Sequence, residues 1–201
     1  MRGLLIKDAY TMIKETKLFL IFAVIISFIQ NDFLFSYAIF YAAMLPLTAL
    51  SYDERSKWNK LADMLPYAAK DIVGSKYIIG YLCVFCMTFL VSCGKILFAG
   101  LNQPMPGAED WMALLGVACA ATIIQSVNLP FMFWIGVEKG RYLFILFSVA
   151  AIIASLTCLE HMELSQIHIT PGALLSGILS FTIVCNLISF LVSKRIYQKK
   201  S

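Results

Sequence analysis

Long apolar runs alternate with short polar breaks along this chain, and the rhythm predicts its elements. The runs cover Leu18–Ile29, Phe33–Leu50, Tyr77–Leu101, Trp111–Ile135, Tyr142–Leu159 and Gly172–Val192. A helix needs about 20 apolar residues to cross a bilayer, which the last four runs meet or nearly meet and the second approaches. The first run has 12 residues. It reaches spanning length when extended back through Thr11–Lys17, whose lysine stems can snorkel to the interface. The tight Gln30–Asp32 connection makes a helical hairpin with the second run the natural solution. The expected fold is therefore all-α, a polytopic membrane protein with six transmembrane helices in one domain over residues 1–201.

Two segments break the hydrocarbon. Residues 2–17 set Leu4, Leu5, Ile6, Ala9, Met12 and Ile13 against Lys7, Asp8, Lys14, Glu15 and Lys17, a pattern that suits an amphipathic elbow helix in the inner interface. Residues 52–76 form the longest charged interruption. There Trp58, Leu61, Ala62 and Leu65 recur at i, i+3, i+4 and i+7, which predicts a short amphipathic helix. Pro66 lacks an amide hydrogen and ends it. Periodicity alone leaves two uses for that apolar face: lying on lipid headgroups, or docking a cytosolic protein.

Charge orients the chain. With both termini cytoplasmic, 15 of the 16 Lys and Arg residues fall on one side, among them Arg2, Lys7, Arg55, Lys57, Lys60, Lys70, Lys139, Arg141 and the tail from Lys194. The opposite loops carry only acids, Asp32, Glu109, Asp110, Glu160 and Glu163. This is the asymmetry of the positive-inside rule, and it makes residues 52–76 cytoplasmic. The exception, Lys95, lies roughly 27 Å along the third run, where its amine can snorkel outward. The basic N-terminal region resembles a signal peptide, but its apolar run ends at Gln30-Asn31-Asp32 without a small-residue cleavage site and is expected to be retained.

Composition sharpens the class. The chain is 60% hydrophobic and 14% charged, against about 45–50% and 25% for soluble domains. Its net charge of +4 follows the loop asymmetry, and no basic stripe with interleaved aromatics points to nucleic acid. The six cysteines sit in or beside apolar runs as small hydrophobes. Cys83 and Cys86 have no second pair at zinc-site spacing, and Glu160, His161, Glu163 and His168 lack a converging shell, so no metal site is expected. There is no phosphate-binding loop, H-E-x-x-H or G-x-S-x-G, hence no enzyme. Polar side chains within the runs, Lys95, Gln125, Asn128 and Asn186, are candidates for a pathway lining or for helix–helix contacts.

The chain resembles the small six-span permease subunits of ABC-2-type transporters, whose ATPase is a separate polypeptide. The resemblance rests on Leu4-Leu5-Ile6-Lys7-Asp8, on Asp53-Glu54 followed by Trp58, on Leu65-Pro66, and on Lys70-Asp71-Ile72-Val73 leading to Lys76-Tyr77. Ala68 and Ala69 stand where the family usually has serine and arginine. The resemblance implies that residues 52–76 are the coupling helix, with Asp53, Glu54, Arg55, Trp58, Leu61, Leu65 and Pro66 docking a cytosolic ABC ATPase and Trp58 as the anchor. It also implies a second permease chain, identical or a paralogue, with ATP and Mg on the ATPase and no cofactor on this chain. The setting implied is the bacterial cytoplasmic membrane, with lipid as a further partner and export of peptides or amphipathic drugs. Two other classes compete: a non-transporting adaptor or immunity protein that binds a partner or toxic peptide, and a gradient-driven carrier. The carrier is disfavoured because no Asp, Glu or His lies at mid-depth in the runs.

Overall fold

The computed structural model describes residues 2–27, 32–62, 64–65, 67–100, 106–142, 145–146 and 171–200, which are helical with short connections and contain no strand. The helices are α1 (Arg2–Ser27), α2 (Asp32–Arg55), α3 (Trp58–Ala62), α4 (Ala69–Ala99), α5 (Ala108–Ile135), α6 (described over residues 137–142) and α7 (Pro171–Lys200). Four described segments are long and apolar enough to cross a membrane: Leu34–Arg55, Ala69–Leu97, Ala108–Ile135 and Ser176–Lys199. They correspond to the second, third, fourth and sixth apolar runs. The fifth run and the loop holding Glu160 to His168 lie outside the described residues, apart from residues 142, 145 and 146.

The separate elbow helix is a point of difference. Residues 2–17 and the described part of the first apolar run, through Ser27, form one uninterrupted helix, α1. No proline or glycine stands between Leu4 and Ser27 to break it. Its inward positions pack against α2 and α4 along the way: Leu4 beside Ile72, Met12 beside Leu45, Ala49 and Ile79, and Ile26 beside Ala38, Ala42 and Met87. Tyr10, Ile13, Lys14 and Lys17 are exposed on the outside.

Helix ends explain the remaining boundaries. The Asp110 carboxylate accepts from the Gly107 N–H at 2.9 Å where α5 begins, with Glu109 also in its first turn. Gly136, at φ +94°, ends α5 with a backbone conformation that a side chain would strain. α2 ends at Arg55, and the chain leaves it through Lys57 at φ +54°. A left-handed conformation at a lysine costs about 1–2 kcal/mol.

Two buried clusters lie at different depths. One joins Phe35, Ile39, Val84, Val91, Leu114 and Ala121 toward the α4–α5 connection. The other joins Leu47, Leu50, Val73, Tyr77, Leu129, Met132, Phe133 and Val137 at the opposite end. Tyr197 packs on Phe133 and on the cluster of Leu4, Ala62 and Ile72, so both termini meet at the end that carries α3.

Candidate coupling site and transport cleft

At that end, four charges close on one another. Lys76, 2% exposed, donates to Asp8 Oδ1 at 2.7 Å and to Asp53 Oδ2 at 2.5 Å. Lys7 pairs with Asp53 at 2.6 Å and with Asp8 at 3.0 Å, and Ser75 donates to Asp8 at 3.2 Å. Two cations and two carboxylates cancel, which is the condition for burying charge at tolerable cost. The cluster ties the second turn of α1 and the second to third turn of α4 to the last turn of α2.

The adjacent Glu54 turns elsewhere. Its Oε2 accepts from the Val137 N–H at 2.7 Å, at the start of α6. A Cβ on Gly136 would lie 2.7 Å from Glu54 Oε1, so the carboxylate also seats against the α5–α6 corner.

α3 follows directly. Ala62 is buried and Trp58 half-buried against the Leu4–Ile72 cluster, with Lys7 Nζ 4.3 Å from the Trp58 ring centroid. Leu61, Met64 and Leu65 face outward at 53%, 82% and 43% exposure, and Arg55 is exposed beside them. The structure thus divides the expected docking residues. Asp53 and most of Trp58 belong to the internal support, whereas Leu61 and Leu65 remain on the surface. Pro66 lies outside the described residues. Sequence reasoning did not anticipate the partners of Lys76 or the exposed Met64. The signal for the former was Lys7-Asp8 and Lys76, charges set beside apolar positions.

Between α4, α5 and α7 an open cleft of about 910 Å³ is lined by residues including Tyr81, Phe85, Phe89, Cys119, Ile183 and Phe190. Among the described residues no charged side chain lines it, and its polar members are largely satisfied within the protein. Asn186 accepts from the Tyr81 hydroxyl at 2.7 Å and donates to the Thr182 carbonyl at 2.8 Å. Thr88 and Ser92 bond back to their own helix. The walls therefore present mostly rings and methyl groups to whatever enters.

Of the four polar residues expected along a pathway, Asn186 lines this cleft and the others do not. Gln125 is fully buried against α4, where a Cβ on Gly80 would fall 2.1 Å from its Nε2, and both its amide atoms lack a partner. Asn128, also fully buried, lines a separate cavity of about 330 Å³ with Thr48 and Arg141, and its Oδ1 is unpartnered. Lys95 sits 5.3 Å from the Phe35 ring centroid. Pro130 lacks the N–H that would bond the Ser126 carbonyl, and the Ser189 hydroxyl of α7 donates to that oxygen. Ser189 also bonds Tyr77 at 2.5 Å, and Tyr77 bonds Ser193 at 2.9 Å, so α4, α5 and α7 share one polar node.

The sequence profile of the family described as ABC-2 family transporter protein matches residues 3–198. The chain belongs to the ABC-2 transporter family. No curated protein and no solved structure matches it. As an ABC-2 membrane protein it is a multi-pass transport component, and such components are not themselves catalytic.

Proposed function

We propose that this chain is the permease subunit of an ABC exporter that docks a separate ATPase through α3 and the turn after it. The observation that carries the reading is the exposed Leu61, Met64 and Leu65 patch, held out from a rigid base of buried ion pairs. An apolar patch raised on a short helix fits the helix-in-groove mode of recognition, with Leu61 and Leu65 as anchors and Arg55 at the rim. Trp58 then acts from behind, as the wedge that sets the angle of α3. ATP and Mg²⁺ belong to the partner chain.

The basic side chains cluster at this end of the bundle, which supports a cytoplasmic position for it in the bacterial cytoplasmic membrane. Both termini meet there, which supports an even number of crossings, and six accommodates α1 and the fifth apolar run. A second permease chain would complete the pathway. The uncharged cleft favours a largely apolar, amphipathic substrate such as a peptide or drug.

The test is co-purification from native membranes in mild detergent, repeated with Leu61→Asp and Leu65→Asp. An ATPase that accompanies the wild type and is released by both variants, with the bundle still folded, is the expected result. A wild type that carries no ATPase would leave the adaptor reading in its place.

A further inference from the structure

The two adjacent carboxylates that end α2 hold different parts of the molecule. Asp53 is locked to α1 and α4 through Lys7 and Lys76. Glu54 holds the α5–α6 corner, one oxygen on the Val137 N–H and the other against Gly136. Lys57, with its left-handed backbone, starts the link to α3 only three residues later. The exposed described side chains of the corner are Glu138, Lys139, Arg141 and Tyr142, with Ile145 and Leu146 exposed a turn further along α6. Above it, residues 130–135 of α5 lie between two backbone discontinuities. Pro130 leaves a carbonyl that α7 must satisfy, and Gly136 stops the helix.

We propose that Glu54 is a positioning residue that carries displacement of α3 to the α5–α6 corner through its charge-assisted hydrogen bond to Val137. The inference rests on the docking role given to α3 above. It adds a second output: motion reaches α4 and α1 through Asp53, and α5 through Glu54. Adjacent acids on one helical turn thereby divide a single input between two sides of the cleft.

The test uses the permease–ATPase complex in lipid nanodiscs, with amide hydrogen exchange read over residues 136–142 without nucleotide and after trapping with ATP and vanadate. In the wild type, trapping changes exchange at this corner. Glu54→Ala removes the acceptor and Val137→Pro removes the donor, the latter at a first-turn position where proline is tolerated. In both variants the nucleotide-dependent difference is lost while the ATPase stays bound, and in Glu54→Ala the Val137 amide exchanges on the order of tenfold faster in either state. Glu54→Gln, which keeps an acceptor oxygen, restores part of the difference. A role confined to stability would change exchange equally in both states and leave the difference intact. The proposal is overturned if the wild-type corner does not respond, or if its response survives in Glu54→Ala or Val137→Pro. Should Glu54→Ala fail to fold, Val137→Pro decides. An ATPase that does not accompany the wild type sinks the docking reading and this inference with it, whereas a bound ATPase with a persistent response sinks this inference alone.

Discussion

Replacing Lys76 with methionine keeps most of the side chain's volume and removes one charge from the centre of the cluster. Lys76 is 2% exposed, and its partners Asp8 and Asp53 have side chains 1% and 8% exposed. Only Lys7, at 25%, would remain to balance them. One buried negative charge is then uncompensated, and losing a partner from a buried pair costs about 3–5 kcal/mol. For a chain of this size each kcal/mol lowers the unfolding temperature by about 2–4 °C, so Lys76→Met should fall by roughly 6–20 °C. The assay is thermal unfolding in detergent with a thiol-reactive dye, which reports the exposure of cysteines packed inside the bundle such as Cys83. Adding Asp8→Asn restores neutrality, because Lys7 and Asp53 then balance, and the double variant should recover a large part of the loss. A Lys76→Met shift below about 2 °C, or a double variant that loses stability additively, would refute the burial argument.

Three further outcomes are expected. Ser189→Ala orphans the Ser126 carbonyl that Pro130 leaves free and should cost about 1–3 kcal/mol in the same thermal assay, whereas Ser180→Ala, at a self-bonded exposed position, should be near neutral. Gly80→Ala drives a methyl group into the Gln125 amide, the movable end of a fully buried side chain, and should destabilise the α4–α5 contact by about 1 kcal/mol, with Gln125→Ala relieving the clash in the double variant. Cys119 lines the open cleft, so a lipid-soluble maleimide should label it, and Thr122→Trp beside it should slow that labelling several-fold while leaving Cys86 on the outer face of α4 unaffected.

Much of the architecture was legible in the apolar runs, because hydrocarbon length is set by the bilayer and needs no partner to be read. Four runs correspond to described helices of spanning length. The motif around Asp53, Trp58 and Lys76 also pointed to the correct family. What the runs concealed was which side of an element faces the protein. A 3.6-residue period places Trp58, Leu61, Ala62 and Leu65 on neighbouring positions, but packing against Leu4 and Ile72 splits that set between inside and outside. The pairing of Asp8 with Lys76 spans 68 residues, and no local pattern encodes it. Gln125 and Asn128 were noticed as costly in hydrocarbon, yet their burial against Gly80 and beside a small cavity depends on the relative heights of α4 and α5. The break expected near residue 17 is absent because lysines on the outer face of α1 interrupt hydropathy without interrupting the backbone.

That continuity makes α1 a lever. At 1.5 Å per residue, Leu4 stands about 12 Å from Met12, where α1 packs on Leu45 and Ile79, and Ile26 stands about 21 Å beyond on the other arm. With Met12 as fulcrum, a sideways push at Leu4 would arrive at Ile26 reversed in direction and nearly doubled. Leu4 shares its cluster with Ala62 of α3. A small movement at one end of α1 can therefore be felt as a larger, opposite one toward its other end, with no moving part except a single rod.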